Sequence, residues 1–513
     1  MMKKNNLASI CFGLVLIFVL ALAPACKKQR SETGQGEKTA GKRIEGGELR
    51  FGMTTEPATL DPLNPSNTAD GRSILFNVFE GLVKPDAEGN PQMAIAEKYT
   101  ISPDARVYEF TLRQGMKFHD GTEVTAEDVV FTLNTAIKNL FDGFTEIEQV
   151  EISADRGIKI TLKSPDPEFL PYLTIGIVPR NNPDREANPI GTGPFSIARY
   201  TTQQSLVLVK NPRYWQQGLP HLDGVTYIFV ADSDALLLAL QGGTIQAASI
   251  TGSLLQQLDA RSFDFVSSPS NAVQLMALNN AVKPLEDVRV RQAINYGVDI
   301  PQIIEAAFFG QGSPSGSPLI PGLTKYYDPS LKNPYSKDIP KARSLLAAAG
   351  YEQGFSLEIT VPSNYTMHVD TAQVLVNQLG AIGITATIKL VDWATWLSDV
   401  YRGRHYQATI ISLDAPNVSP RSFLSRYRSD DTNNFVNFHS PAFDQVYNAA
   451  LIEPDEGKRV GLYQQVQRIL SEEAASVYIQ DIMHFNTFSK GAFGGVVNYP
   501  LYVFDASTIY SIK

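Results

Sequence analysis

The sequence predicts a mixed α/β body with more than one core, carried behind an export segment. Three observations predict it. Apolar runs of period two recur along the chain and alternate with stretches whose apolar residues repeat at helical spacing. Between Phe355 and Tyr401 the pattern reads strand, helix, strand, helix with short links, which implies a parallel βαβ crossover. The chain is 513 residues long, roughly three times an ordinary domain of about 150 residues, so a single core is not expected.

The first element is an address. Met1-Met2-Lys3-Lys4 is a short basic region, Leu7 to Leu22 is apolar, and Ala23-Pro24-Ala25 precede Cys26. Residues 1–25 therefore read as a signal peptide. Its end resembles a bacterial lipobox, in which the cysteine is diacylated and becomes the mature N-terminus. Ala23 stands where that motif usually has Leu, and Leu22 lies one place further back. An uncleaved anchor helix or a plain signal peptide are the alternatives, but the run is short for a bilayer span of about 20 residues. Residues 26–46 are rich in Gly, Lys, Glu, Ser and Thr and read as the acylated cysteine followed by a flexible tether of roughly 25 Å.

The body follows. Leu49-Phe51-Met53, Tyr108-Phe110-Leu112, Ile158-Ile160-Leu162 and Leu206-Leu208 alternate as half-buried strands do. Thr125-Ala126-Glu127-Asp128 opens a helix with a capping-box pattern, and Val130, Leu133 and Ile137 share its face. Asp299 before Pro301 starts another helix, which Gly310 stops. Phe355, Leu357, Ile359 and Val361 form a strand; Leu375, Leu379 and Ile382 lie on a helix ending at Gly383; Ile384, Ala386, Ile388 and Leu390 form the next strand. Trp393, Leu397 and Val400 begin a further helix. Helical stretches at about 443–452 and 455–471 precede a strand at Val477-Tyr478-Ile479.

Composition and missing motifs narrow the function. Hydrophobic residues are 43% and charged residues 19% of the chain, which excludes a disordered protein. The net charge of −9 argues against nucleic acid as partner, since phosphate contacts need clustered Lys and Arg. Cys11 and Cys26 are the only cysteines, so the body has no disulfide framework and no thiolate metal site. The six histidines are scattered, with no HExxH, and Gly191-Thr192-Gly193-Pro194 lacks both the third glycine of a dinucleotide loop and a Walker lysine. No G-x-S-x-G elbow and no catalytic pair stands out. An exported α/β protein without catalytic motifs is more often a binder than an enzyme, and no cofactor or metal is expected.

Several segments together carry a resemblance. They are Pro57-Ala58-Thr59-Leu60-Asp61-Pro62, Val78-Phe79-Glu80-Gly81-Leu82-Val83, and the run from Tyr108 through His119-Asp120-Gly121 to Val130. Pro189 to Phe195, Asn211-Pro212-Arg213-Tyr214-Trp215, Val288 to Ile294 and Phe438 to Asp444 complete the set. In this order they resemble the family 5 extracellular solute-binding proteins, the dipeptide, oligopeptide and nickel-binding components of bacterial ABC importers. His119-Asp120-Gly121 looks like a site, yet a turn explains Asp-Gly as well.

The resemblance implies a two-lobed periplasmic-binding-protein fold, class II-like, whose large lobe I has an extra subdomain. It places lobe I at residues 47–273 plus 483–513 and lobe II at 274–482, with the ligand in the cleft between them. It further implies a likeness of role: capture of a solute, by default an oligopeptide or dipeptide, and delivery to the transmembrane subunits of an ABC permease. An oligosaccharide, an opine-like compound or a metal chelate is the alternative ligand. A monomer tethered by its lipid to the membrane, facing the periplasm or the cell exterior, is expected. For the cleft, Asp392-Trp393 is similar to the family's aromatic position, His368 to a cleft histidine, and Asn67 and Thr68 to a loop that meets the ligand. Peptide binders have Gly-Trp and then an amine-binding aspartate where this chain has Ser412-Leu413 and Pro416. Asp414 is the nearest carboxylate. Either it supplies the anchor from a shifted loop, or the ligand has no free amine; two adjacent changes favour the second.

Acylation at Cys26 has a direct check. Radiolabelled palmitate is expected to label the wild type and to be lost in Cys26→Ser; equal labelling refutes it.

Overall fold

The computed structural model describes residues 42–415, 419–501 and 503–513. The export segment, Cys26, most of the tether and Pro416 lie outside the described residues. Arg43–Ile44, at the end of the segment read as tether, forms a short strand against Tyr510–Ile512.

One 11-stranded mixed sheet runs through the body. Its order begins Ile384–Val391, Phe355–Pro362, Ala408–Asp414, Phe263–Leu278 and Ser476–Ser489. It continues through Ala247–Thr251, Glu48–Met53, Gly224–Phe229, Ser205–Lys210 and Phe195–Thr201, and the eleventh strand, Gly312–Pro314, pairs with Ser476–Ser489 off this path. The βαβ unit is present: Phe355–Pro362 pairs in parallel with Ile384–Val391 from Phe355↔Ile384 to Pro362↔Val391, across the Thr366–Gly380 helix. A separate four-stranded antiparallel sheet carries Val107–Leu112 and Gly157–Leu162 at its centre.

The local chemistry follows the sequence closely. Thr125 and Asp128 cap the Ala126–Lys138 helix reciprocally, Thr125 N donating to Asp128 Oδ2 at 2.9 Å and Asp128 N to Thr125 Oγ1 at 3.4 Å. Its fully buried face is Val129, Leu133 and Ala136, with Val130 and Ile137 flanking. Asp299 caps the Ile300–Phe308 helix, which Phe309 and Gly310 end at positive φ.

Buried apolar side chains fall into separate clusters. Two draw on residues between 273 and 482, and three on residues 49–263 and 485–509. The two lobes thus have their own cores. Among the described residues only two long strands, Phe263–Leu278 and Ser476–Ser489, run from one set to the other. Their antiparallel register jumps between Pro269↔Met483 and Val273↔Asp481, an irregularity lying where the cores change.

The family-like motifs converge on one buried carboxylate away from these crossings. Glu80 accepts from Tyr214 Oη at 2.7 Å, Trp215 Nε1 at 3.0 Å and Thr192 Oγ1 at 3.3 Å, with Lys84 Nζ 3.7 Å away. Both ring nitrogens of His119 are spent on the same loop: Nδ1 accepts from Gly191 N at 3.2 Å and Nε2 donates to Gly193 O at 3.1 Å. A Cβ on Gly191 would meet Val78 O at 2.0 Å, so the loop requires glycine there. These motifs build scaffold.

The lobes also touch through charge. Arg421 Nη1 donates to buried Asp166 Oδ2 at 2.6 Å, while Glu168 accepts from Tyr463 Oη and lies 3.9 Å from Arg459 Nε. Burial pushes both carboxyls up from the usual range, against the pull of Arg421 on Asp166 and of the Tyr463 hydroxyl on Glu168. Removing one partner of such a pair leaves a buried charge unmatched. Arg421→Met is expected to lower the unfolding free energy in urea by about 2–4 kcal/mol, less than for a dry pair because Arg421 keeps a wet edge. Adding Asp166→Asn is expected to restore most of that. A loss no larger than an ordinary surface substitution would refute the coupling.

Candidate functional site

The main cavity, about 1110 Å³, opens between the two sets of cores. Its lobe I wall begins at the short Ala69–Leu75 helix. Thr68 caps that helix, its hydroxyl accepting from Gly71 N at 3.2 Å. Arg72, one turn in, reaches the cleft and donates from Nη1 to Asn67 O at 2.9 Å. The walls strip part of its hydration and push its guanidinium down from its usual value, while Asp414 opposes that shift. Asn67 Oδ1 is buried with no partner among the described residues. Leu140, 75% exposed, and Phe141 add apolar surface on this side.

The lobe II wall is aromatic. Trp396 is 2% exposed and its Nε1 donates to Thr409 Oγ1 at 2.9 Å, which in turn donates to Thr360 O at 2.6 Å. Trp393 stacks on it, ring centroids 5.1 Å apart and planes 5° from parallel, and keeps 37% of its surface exposed. Tyr365 meets Trp393 edge-on at 5.5 Å. The sequence pattern begins a regular helix at Trp393, Leu397 and Val400. Instead a single α-turn, Trp393–Thr395, passes into a π-helix over Trp396–Arg402, and the wider winding buries Trp396 with Val400 and leaves Trp393 half in solvent.

His368 lies behind this wall, 2% exposed. Its Nδ1 accepts from Gln274 Nε2 at 3.0 Å; Gln274 Oε1 accepts from Gln480 Nε2 at 3.0 Å. Burial drives its pKa down to about 4, so the ring is neutral at pH 7 and Nε2 carries the proton. Ala408–Asp414 brings Ser412, Leu413 and Asp414 to the cleft. Leu413 also packs in the lobe II core, and Ser412 Oγ is buried without a described partner. Arg426 Nη2 donates to Asp414 O at 3.0 Å.

Asn67, His368, Trp393, Ser412, Leu413 and Asp414 therefore line one cleft, and Thr68 stands beside it as a helix cap. Arg72, Tyr365, Trp396, Tyr401 and Arg426 line it too and were not singled out in the sequence. Trp396 alone had a signal, its i, i+3 spacing from Trp393. Among the described residues no group of three His, Cys, Asp or Glu side chains is placed to hold a metal ion.

Two lobes with separate cores, joined by two strands and facing each other across a solute-sized aromatic cleft, define a solute-binding protein. The family model of the bacterial extracellular solute-binding proteins, family 5, matches residues 90–435, and the chain belongs to that family. The glutathione-binding protein GsiB of Salmonella typhi is 28% identical over 441 residues, 81% of this chain and 85% of that protein. The substrate-binding protein CtaP of Listeria monocytogenes is 26% identical with a TM-score of 0.82, over 91% of this chain and all of that one. AgaA of A. tumefaciens R10, solved with agropinic acid, is 28% identical with a TM-score of 0.71, over 91% and 99%.

The neutral His368 gives a pH signature. An unfolded histidine titrates near about 6.5, so as pH falls from about 6.5 towards about 4 the unfolded chain takes up a proton that the folded ring refuses. Stability from this group is complete above about 6.5 and is lost as pH drops, by up to about 3 kcal/mol. Urea unfolding at pH 7 and pH 4.5 is expected to show a smaller difference in His368→Gln than in wild type; an unchanged difference refutes the neutral ring.

Proposed function

We propose that this chain is the lipid-anchored solute-capture component of an ABC importer, with a peptide-like solute as its ligand. The carrying observation is the cleft itself. At about 1110 Å³ it exceeds the usual pocket for a drug-sized molecule, about 300–1,000 Å³, so it accommodates an extended solute of several units. Residues 47–273 with 483–513 form lobe I and 274–482 lobe II, and ligand contact with both walls shifts the population towards a closed form that the permease recognises. Cys26 holds the protein, as a monomer, to the membrane on the exported side. The work is binding and release, with no bond made or broken.

Asn67, Trp393, His368, Ser412, Leu413 and Asp414 are the proposed contacts, with Thr68 holding the Asn67 loop. Trp393 offers one open face to the solute, and His368 lines the cavity as a neutral ring behind it. The glutathione named for GsiB, itself a small peptide, supports the peptide class. A second reading, an opine-like or other solute without a free amine, draws support from Asp414, whose field acts on Arg72 across the cleft, from Pro416 at the amine-anchor position, and from the agropinic acid bound to AgaA.

Thermal melting with free tripeptides, their N-acetylated forms, glutathione and neutral oligosaccharides separates these readings, because bound ligand raises stability by RT ln(1 + [L]/Kd). Peptides are expected to stabilise the protein and to change its tryptophan emission, and Trp393→Phe to remove most of that change. Dependence on a free amine, abolished by Asp414→Asn, would make Asp414 the anchor; indifference to acetylation favours the second reading. Stabilisation by neutral oligosaccharides alone overturns the peptide class.

A further inference from the structure

We infer that the lobe I rim of the cleft around Leu140 is a side-chain subsite that selects solutes bearing a bulky apolar group. The inference rests on the solute-binding reading of the cleft and deepens it. Leu140 is the most exposed large apolar side chain among the described residues, at 75%, and it lines the cavity. It stands where the Ala126–Lys138 helix ends in a Schellman motif, with Phe141 N donating to Ala136 O and Leu140 N to Ile137 O, both at 3.1 Å. That motif holds Leu140 at φ +57°, in the left-handed region where glycine is the usual residue and a Cβ is strained. The helix end thus gains neither burial nor a relaxed backbone from a leucine here.

The turn that presents Leu140 is fixed on both sides. Asn139 Nδ2 donates to Leu63 O at 2.8 Å, which ties the helix end to the loop whose Pro62 and Pro65 also line the cavity. Beyond Leu140, the Phe141 and Phe144 rings meet edge-on at 6.4 Å. Gly143 lies against Tyr172, since a Cβ there would come within 2.3 Å of that ring. Phe141, Phe144 and Tyr172 line the cavity with Leu140. The rim is therefore a packed apolar surface, and Leu140 is exposed by its position and not by a loose loop. Asp142 is the one charged residue of the 139–144 turn. Burial pushes the Tyr172 hydroxyl up and Asp142 adds to that shift, with Arg421 opposing it. An apolar group seated on Leu140 takes its methyl groups out of water and so offsets, in the bound state, a side chain that folding leaves exposed and strained.

The test uses the mature full-length protein and trialanine peptides in which one residue, at each position in turn, is Leu or Phe. Dissociation constants come from isothermal titration calorimetry, and melting of the unliganded protein is followed alongside. At one position Leu and Phe are expected to tighten binding roughly 10-fold over alanine. Leu140→Gly is expected to narrow that preference to about 2-fold or less while raising the unliganded melting temperature by about 1 °C. Leu140→Ala, which keeps the strain and loses the contact, is expected to narrow the preference without that rise. Leu140→Met, close in volume, is expected to keep it. An undiminished preference in Leu140→Gly overturns the subsite; if cells carrying that variant also lose uptake, Leu140 belongs to the permease contact instead. A lower melting temperature in Leu140→Gly makes the leucine a folding residue and overturns the subsite too. Equal binding of all the peptides overturns the subsite alone. Binding of none also overturns it. In that event a melting shift with neutral oligosaccharides leaves the solute-binding reading standing, whereas no shift with any solute removes both.

Discussion

Two antiparallel strands carry the whole architecture. Phe263–Leu278 and Ser476–Ser489 are long enough to enter both sets of cores, and each lobe completes its part of the sheet on them. Every backbone donor and acceptor along them needs a ladder partner, so the pair cannot separate without unravelling both lobes. The register of the ladder shifts between Pro269 and Val273 and again between Gln274 and Leu275, where the strands pass from one set of cores to the other. The cleft exists because of this constraint: lobes joined by two strands, with apolar interiors that do not merge, must leave a gap between them.

The polar groups near that crossing are arranged to be rigid. Gln274 and Gln480 sit on the two strands and hold His368 and Thr371 of the neighbouring helix. These hydrogen bonds tie the back of the aromatic wall to the strands, although Gln480 Oε1 is buried without a described partner. Trp396, pinned through Thr409 to Thr360, extends the same rigidity to the ring on which Trp393 stacks. On the opposite wall Arg72 is held by a loop carbonyl and stays solvent-accessible. The cleft thus pairs a fixed apolar surface with charged groups whose partners come from the other side, a combination suited to capturing a solute and closing on it.

Buried charge is used differently elsewhere. Glu80 collects donors from two other segments, Thr192 and Tyr214–Trp215, and its role is to fasten them to its own. Asp166 with Arg421 and Glu168 with Tyr463 fasten one lobe to the other. The segments most suggestive of chemistry in the sequence, His119-Asp120-Gly121 and Gly191-Thr192-Gly193, belong to this fastening. Their hydrogen bonds are spent on each other.

The chain's local code was legible wherever a few neighbouring residues decide the outcome. The Thr125–Asp128 capping box, the Asp299 cap and Gly310 stop, and the Phe355–Leu390 βαβ unit all depend on side-chain period and cap chemistry within a dozen or so residues. Ser412, Leu413 and Asp414 could be placed at the cleft through the resemblance around them. Arg72 and Arg426 carry no such signal, because an arginine on a polar helix end looks the same whether it faces bulk water or a cleft. Which of Trp393 and Trp396 stays open was likewise beyond the pattern, since it turns on a π-helical winding set by packing against Thr409 and Phe435. The sequence by itself determined the elements, the α/β class and the family, through periodicity and local hydrogen bonding. The tertiary structure alone decided which charges face each other across the cleft, because that depends on bringing residues 72, 414 and 426 together over more than 300 positions of chain.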